Sequence, residues 1–407
     1  MDAMEDTVTN RVILHYLRKK RISCMRRKAA ANRPFRQRRS WWHFRNSMSS
    51  NRFKRYFHMS KECFELLCEK IIENEGEDVF KSEDYLNEQL CNGGLESNLM
   101  RAHRETTGGF ICGEIKLALA LRLLAGGSYL DLSLLFETGS SYAYTIFHDV
   151  LEDWILRNRL VNINGVDYFS NDQAMCDVAL QFARSSNGTL NGCIGTIDGQ
   201  IVKITRPRVK DGIENPGSFF SRKGFYSVNV QCIVDKKKRI LWRSIQSRGA
   251  EHDSTAFKNS NFYKDCLLPN WRKLAEKGFY FIGDSAYALN AFLLTPYDNM
   301  FHGSAQDNFN YFHSSARIAV ECAFGEIELR WGILWHPLQC SLKHNCNIID
   351  ACLRLHNFIV DFREMTDGES DIGIFDEECR RFLAGNPCET VQIHGGELDD
   401  RLDANGN

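Results

Sequence analysis

The stretch CIGTIDG at residues 193–199 decides the fold of the second half of the chain. Its apolar residues have the pattern of a short buried strand, and Asp198 follows them beside a glycine that lets another backbone or a phosphate come close. The stretch FYFIGDSAY at residues 279–287 repeats this arrangement around Asp284. We therefore expect two strands that each end in a carboxylate at the rim of one sheet.

Strand and helix patterns alternate through residues 190–360. The turn DKKK at residues 235–238 joins two strand patterns into a hairpin. Three strands that can meander, then a helix and another strand, predict an α/β fold with a mixed sheet and flanking helices. The predicted strands are residues 193–197, 201–204, 225–234, 240–246 and 279–282, and the predicted helices are residues 253–275 and 313–331.

The composition is that of an ordinary globular protein. The 407 residues are 43% apolar and 25% charged, which excludes collagen-like, coiled-coil and wholly disordered chains. The most apolar stretch, residues 115–125, is shorter than the roughly 20 residues that a transmembrane helix needs. The formal net charge of −1 hides a basic start and an acidic end. Residues 11–60 carry 16 Lys or Arg and no acidic residue, whereas residues 361–407 carry 13 acidic and 4 basic residues.

These patterns predict four parts. We expect a basic arm at residues 1–52, a helical domain at 53–184, the α/β domain at 185–362 and an acidic tail at 363–407. The arm is too charged to bury much surface, which predicts disorder in isolation. It is either a solvated tail or nuclear localisation signal, or an arm that neutralises DNA phosphates. Its candidate DNA-binding residues are Arg18, Lys19, Lys20, Arg21, Arg26, Arg27 and Lys28.

The helical domain contains a candidate helix-turn-helix at residues 129–154. A helix predicted at residues 113–125 stops at Gly126-Gly127, and two short helical patterns follow, joined by the turn ETGSS at residues 137–141. In a helix-turn-helix, the second helix enters the major groove of DNA. Two helices joined through a glycine are also common in plain helical packing, so the pattern alone leaves both interpretations open.

A third carboxylate, Glu321, lies in the stretch SARIAVECAFG at residues 315–325. This predicted helix is apolar nearly all round, so a carboxylate in it needs an ionic partner or a metal. Glu321 could simply pair with Arg317 one turn earlier, and Asp198 and Asp284 could each cap a turn. Together, the three carboxylates are also what a two-metal site for phosphoryl transfer requires, and hard oxygen ligands suit Mg²⁺ or Mn²⁺.

The fifteen cysteines include no C-x-x-C pair. Several lie inside apolar runs, which favours buried thiols in a reducing compartment over a disulfide framework. A zinc site at Cys340, His344 and Cys346 is the alternative, although its spacing is unusual.

The chain resembles the PIF/Harbinger-type transposases. The resemblance rests on GTIDG at residues 195–199, SRKGFYSVNVQ at 221–231, EHDS at 251–254, GDSAY at 283–287, LTPY at 294–297, the stretch 315–325, RW at 330–331 and LHNF at 355–358. Upstream, FHMSK at residues 57–61 and LAGGSY at 124–129 also match, so the likeness runs in the family's order over about residues 55–360.

This resemblance implies an RNase H-like nuclease domain with a DDE metal triad of Asp198, Asp284 and Glu321. It implies a DNA endonuclease and transposase with strand-transfer activity that uses Mg²⁺ or Mn²⁺, most often two ions. It also favours the helix-turn-helix and a DNA contact at Arg222 and Lys223. A Myb-like DNA-binding partner protein, a homodimer and a place in the nucleus are implied as well. Because EHDS is a family motif, Asp253 is a rival for the second metal ligand.

Three positions depart from the family pattern. Gln200-Ile201 stand where Thr-His is usual, Ala286 replaces a glycine, and the usual lysine near Phe324-Gly325 is replaced in the stretch GEIE at residues 325–328. Glu328 is either a spare ligand or a surface charge. These departures support an alternative function, a domesticated non-catalytic DNA-binding or chromatin-associated protein.

Overall fold

The computed structural model describes residues 41–75, 111–136, 138–157, 163, 165–209 and 212–366. The seven candidate DNA-binding residues of the arm, Arg18 to Lys28, lie outside these ranges. So does nearly all of the acidic tail. What the sequence predicts for them stays a prediction.

Up to residue 185, the described chain is helical. The Ser60 hydroxyl caps the helix that begins at Lys61, because it accepts a hydrogen bond from the Cys63 backbone N–H at 3.1 Å. The expected boundary of the arm at residue 52 falls inside the helix Ser50–Phe57. Before that helix, Trp41 packs against the aromatic rings of Phe53 and Phe64. The helices are α1 (Trp41–Asn46), α2 (Ser50–Phe57), α3 (Lys61–Glu75), α4 (Gly113–Leu124), α5 (Tyr129–Leu135), α6 (Ser140–Asp149), which continues as a π-helix (Val150–Arg157), α7 (Val166–Phe169) and α8 (Asp172–Ser185).

A five-stranded mixed sheet follows, with the strand order β3-β2-β1-β4-β5. The three strands β1, β2 and β3 are antiparallel neighbours, whereas β4 runs parallel to β1 and β5 parallel to β4. The predicted mixed sheet with flanking helices is confirmed. The strands are β1 (Cys193–Lys203), β2 (Ser227–Val234), β3 (Ile240–Arg248), β4 (Tyr280–Ile282) and β5 (Leu293–Leu294), and the helices are α9 (Asp253–Asn259), a π-helix (Phe262–Leu267), α10 (Leu268–Glu276), α11 (Ala305–Arg330) and α12 (Leu342–Met365).

The two strands predicted at residues 193–197 and 201–204 are one strand, β1. Asp198 therefore lies in the middle of a strand, whereas the sequence predicted that it lies at the end of one. The pair Asp198-Gly199 does not interrupt β1, because Asp198 faces Cys232 and pairing with β2 continues to Lys203. On the other side, β4 ends at Ile282, the partner of Thr196. Only that side of β1 loses its neighbour at the level of Asp198.

Helices cover both faces of the sheet. One core cluster packs α11, α12 and the helices before residue 157 against β1, β2 and β3, and it includes Val230, Val320 and Leu119. A second cluster packs α9 and α10 against the opposite face through Ile197, Ile233 and other residues. Because side chains alternate along a strand, Asp198 points to the α11 face and its neighbours Ile197 and Gly199 to the α9 face.

The C-terminal end of α11 joins the helical part to the sheet. The Arg330 guanidinium donates to the backbone carbonyl of His58 at 2.6 Å, and His58 Nδ1 bonds the Arg330 carbonyl in return. Next to them, the buried Trp331 indole N–H donates to the Cys352 carbonyl of α12 at 3.1 Å. The two halves of the chain thus share one continuous core.

Neither α11 nor α12, nor any other helix within the described ranges, has the length and apolarity that crossing a membrane requires. Cys193, Cys232 and Cys352 are buried thiols without a disulfide.

We expect Trp331→Ala to lower the free energy of unfolding by about 3–5 kcal/mol, because it empties a fully buried site and removes the indole hydrogen bond to the Cys352 carbonyl. Urea unfolding followed by far-UV circular dichroism measures this loss. The control is Trp335→Ala, since Trp335 is half exposed and its replacement should cost about 1 kcal/mol or less. Equal losses in the two variants would contradict this description of the core.

Candidate active site

The register between β1 and β4 brings Asp198 and Asp284 to the same level of the sheet. Thr196 pairs with Ile282 in parallel, and each aspartate lies two residues further along the chain. Asp284 follows β4 in a turn, where its Oδ1 accepts a hydrogen bond from the Ala286 N–H at 3.0 Å. The turn-capping role is therefore real for Asp284, and it fixes the carboxylate beside β1.

Glu321 reaches this site from α11 through Arg317. The Arg317 Nη2 atom lies 3.2 Å from Asp198 Oδ2 and 3.5 Å from Glu321 Oε1. The pairing of Glu321 with Arg317 expected from their spacing is thus present. The same guanidinium also links Glu321 on the helix to Asp198 on the strand.

The site holds more negative charge than its surroundings balance. Burial raises the pKa of Asp198 to about 7; Arg317 opposes this rise, and the nearby charge of Asp284 adds to it. Burial also raises the pKa of Asp284, and Arg317 again opposes the change. One guanidinium therefore acts on a group of carboxylates that lie partly out of water.

Asp253, the rival ligand, lies across the sheet from the Asp198 side chain. It begins α9, where its Oδ1 accepts hydrogen bonds from Gln231 Nε2 at 2.7 Å and Asn229 Nδ2 at 2.8 Å. It packs directly over Gly199, where a side chain would collide with its carboxylate. Asp253 is thus held by two amides on the α9 face, whereas Asp284 lies in register with Asp198.

The motif search missed a polar network that supports the segment after Asp284. The Tyr287 hydroxyl donates to Gln231 Oε1 at 2.5 Å. Gln231 Nε2 in turn donates to Asn229 Oδ1 and to Asp253 Oδ1. Tyr287, Asn229 and Gln231 are all buried. A signal was present in the sequence, because Asn and Gln alternate with valines in a strand that is otherwise apolar.

His313 is a second residue that sequence reasoning missed. It lies on α11, one turn before Arg317, and it is 2% exposed. Burial lowers its pKa to about 4 and Arg317 adds to this, while hydrogen bonds to the backbone at Leu294 and Gly283 oppose the change. The neutral ring therefore packs α11 against β5 and against the glycine that precedes Asp284.

Glu328 is half-buried and has a hydrogen-bonding partner on the sheet. Its Oε2 accepts a hydrogen bond from Gln200 Nε2 at 3.2 Å, and Gln200 lies two residues beyond Asp198 on the same side of β1. The departure at Gln200 therefore contacts the departing stretch 325–328. Whether Glu328 is a spare ligand stays a prediction.

Arg222 and Lys223 are exposed in the turn that precedes β2. This turn lies beside the C-terminal end of β1, where the Lys203 ammonium sits 4.9 Å from the centre of the Phe225 ring. Because β1 and β4 are parallel, this is also the end of the sheet towards which β4 runs. Asp198 and Asp284 lie just past the last residue of β4. Both side chains of Arg222 and Lys223 are therefore exposed to solvent at this end of the sheet.

The alternative zinc site does not form. Cys340 Sγ lies 3.5 Å from the Tyr144 hydroxyl, whereas Cys346 Sγ contacts the Ile245 carbonyl of β3 at 3.5 Å. In the part of the chain that the structure describes, no three His, Cys, Asp or Glu residues stand close enough together to hold an ion. This also holds for Asp198, Asp284 and Glu321; Arg317 contacts two of these three carboxylates, those of Asp198 and Glu321.

The donors of the predicted triad nevertheless fit a hard divalent cation. All three groups are carboxylates, the ligands that Mg²⁺ and Mn²⁺ prefer. Burial is the main cause of the raised pKa of Asp198, and the negative charge of Asp284 adds to it, so this position is short of positive charge. A divalent cation held by Asp198, Asp284 and Glu321 would supply that charge.

Asp198→Asn should stabilise the metal-free protein at pH 8 by about 2–4 kcal/mol. Asp198 has a folded pKa near 7 against an ordinary value of 3.8, so the folded state keeps a proton that the unfolded chain has lost. Wild-type stability therefore falls as pH rises from 4 to 7, relative to a variant that cannot ionise. Urea unfolding in EDTA at pH 4, 6 and 8 measures the difference, which should vanish near pH 4.

The control is Asp350→Asn, which leaves Arg243 without its bidentate carboxylate and should destabilise the protein at pH 8. If Asp198→Asn behaves like Asp350→Asn, the charge shortage at Asp198 is disproved.

Comparison with known proteins agrees with the motifs. Residues 197–357 match the family described as DDE superfamily endonuclease. Protein ALP1-like of Arabidopsis thaliana is 28% identical over 271 residues, which cover 62% of this chain and 61% of that protein. HARBI1 of Rattus norvegicus, a candidate nuclease by its name, is 26% identical over 173 residues, and HARBI1 of Mus musculus is 27% identical over 178 residues.

The similarity to each HARBI1 covers 42% of this chain and 46% of the relative. The chain thus spans about three-fifths of the first relative and less than half of the other two. No solved structure matches it. The matched segment contains Asp198, Asp284 and Glu321, so the similarity to the DDE superfamily endonuclease family includes all three residues of the predicted triad.

Proposed function

We propose that the α/β domain is a divalent-metal-dependent DNA endonuclease. One observation carries the proposal: Asp198 on β1 and Asp284 just after the parallel strand β4 share a level, and Arg317 connects Asp198 to Glu321 on the helix above. The match of residues 197–357 to DDE superfamily endonucleases supports the same activity. We assign the metal to Asp198, Asp284 and Glu321, and Asp253 to a supporting role.

Bound Mg²⁺ or Mn²⁺ supplies activation of the attacking oxygen and stabilisation of the leaving oxygen in phosphodiester cleavage. Residues of the chain position the carboxylates and the DNA strand. Tyr287 and Gln231 hold the segment that follows Asp284, and His313 packs against the glycine that precedes it. Arg222 and Lys223 bind phosphates of the DNA strand and keep it across the carboxylates.

The finer parts of the proposal follow from the resemblance. The domain is RNase H-like, and the enzyme is a transposase of PIF/Harbinger type with strand-transfer activity that works in the nucleus. It acts as a homodimer, because two element ends are cut, and together with a Myb-like DNA-binding partner protein. The motifs in family order support this reading.

DNA recognition falls to the candidate helix-turn-helix and the basic arm. Two helices, α5 and α6, meet at a short turn, and α6 exposes Ser141, Tyr142 and Thr145 in its N-terminal half. That half is the part that a recognition helix presents to base edges.

Asp198→Asn, Asp284→Asn and Glu321→Gln should each lower the rate of DNA cleavage in Mn²⁺ by roughly 10³-fold or more, because each removes a charged ligand from one cooperating unit. Asp253→Asn is the matched control and should cost less than about tenfold, since its amide neighbours are not ligands. The assay uses labelled duplex DNA that carries candidate element ends, with and without EDTA.

If Asp253→Asn is as inactive as Asp198→Asn while Asp284→Asn is active, Asp253 takes the place of Asp284 in the triad. If the wild type binds DNA but never cuts it in Mg²⁺ or Mn²⁺, the endonuclease proposal fails. The non-catalytic DNA-binding protein then replaces it.

The double variant Arg222→Gln/Lys223→Gln should weaken DNA binding and reduce the slope of log affinity against log salt by about 2, since each phosphate contact contributes roughly 0.9. Arg272→Gln/Lys273→Gln removes another adjacent pair of exposed charges, on α10 across the sheet, and should leave the slope unchanged. Fluorescence anisotropy between 50 and 300 mM salt gives both slopes. Equal effects of the two double variants rule out a specific contact at Arg222 and Lys223.

A further inference from the structure

Arg317 holds the candidate site through an incomplete ion pair. Its Nη2 atom is shared between Asp198 and Glu321, at 3.2 and 3.5 Å. Its Nε atom is buried and makes no hydrogen bond, while the side chain as a whole is 19% exposed. A guanidinium has five N–H donors in a planar fork, so this geometry leaves much of its hydrogen-bonding capacity unused.

A second half-buried arginine shows what a complete pair looks like in the same fold. Arg243 of β3 faces Asp350 of α12 with both edges of the fork, Nε to Oδ1 at 2.9 Å and Nη2 to Oδ2 at 2.7 Å. Two parallel, short hydrogen bonds of this kind hold both side chains in place. Arg243 therefore fits a fixed structural role, whereas Arg317 balances charge without being locked by geometry.

The atoms that Arg317 contacts are also those that a metal requires. When ionised, Asp198, Asp284 and Glu321 carry three negative charges, and the guanidinium cancels one of them. A cation that binds Asp198 Oδ2 and Glu321 Oε1 must displace Nη2 from them, because two positive groups cannot occupy the same side of these oxygens. Metal and guanidinium are thus alternatives at this position.

We propose that Arg317 is an internal counter-cation that occupies the Asp198 and Glu321 carboxylates before a divalent ion arrives and competes with it. The inference rests on the proposed function, because it concerns the same carboxylates. The observed affinity for the ion then depends on how much more tightly the carboxylates bind the ion than they bind the Arg317 guanidinium. Arg317 also keeps α11 and β1 together while the ion is absent.

Removing the charge of Arg317 should therefore tighten divalent-ion binding. We expect Arg317→Gln and Arg317→Ala to lower the dissociation constant for Mn²⁺ by about tenfold or more, measured by calorimetry on the full chain without DNA. The rise in melting temperature that Mn²⁺ produces should grow accordingly. Arg317→Lys keeps a positive charge and should stay within about threefold of wild type.

Arg272→Gln is the matched control, because it removes an exposed arginine charge on α10, across the sheet, and should leave Mn²⁺ affinity unchanged. Circular dichroism verifies folding, and either of the two uncharged variants that folds is enough for the comparison. Unchanged or weaker Mn²⁺ binding in the uncharged variants overturns the proposal, as does equal tightening in Arg317→Lys.

Asp198→Ala separates failure of this inference from failure of the proposed function. If wild type binds Mn²⁺, Asp198→Ala does not, and Arg317→Gln is no tighter than wild type, the metal site stands and the competition is refuted. If neither wild type nor Arg317→Gln binds Mn²⁺, both the counter-cation and the metal-dependent nuclease are refuted.

Discussion

Burial of carboxylates at one level of the sheet is the constraint around which this domain is built. The pairing of Thr196 with Ile282 brings Asp198 and Asp284 side by side, and burial removes the water that would screen their charges. Such an arrangement costs stability in a protein that only needs to fold. Arg317 offsets part of the cost, and α11 must therefore lie across β1 at the level where its guanidinium meets Asp198.

The surrounding core fixes that level. At the C-terminal end of α11, Arg330 and His58 form hydrogen bonds that join the helix to the N-terminal helices. Trp331, the next residue, donates a hydrogen bond to α12. In the N-terminal half of α11, His313 forms hydrogen bonds with the backbone at Leu294 and Gly283, just before Asp284. A shift of the helix by one turn would move Arg317 by about 5.4 Å and break these contacts together. The distance from helix to strand at the carboxylates is thus set by packing over the whole length of α11.

The sequence was sufficient for the parts of this arrangement that depend on local pattern. Apolar runs before Asp198 and Asp284 predicted strands, and the i,i+4 spacing predicted the contact between Arg317 and Glu321. It was insufficient where a long-range partner decides the outcome. The apolar run that stops at Asp198 indicated the end of a strand, yet pairing with β2 carries β1 on to Lys203, because hydrogen bonds from one side are enough to keep the strand extended. Strand register, which brings Asp284 rather than Asp253 beside Asp198, is likewise a property of pairing and not of composition.

The buried amides of β2 show how stability and site geometry are reconciled. Asn229 and Gln231 lie in a strand where valine would fill the same space without needing hydrogen-bond partners, so their retention requires that almost every polar atom be satisfied. Their partners satisfy them from two directions, Asp253 at the start of α9 and Tyr287 in the segment after Asp284. The network therefore ties the position of that segment to β2 through directional contacts. An apolar core would hold the same elements together but would not specify where the Asp284 carboxylate lies.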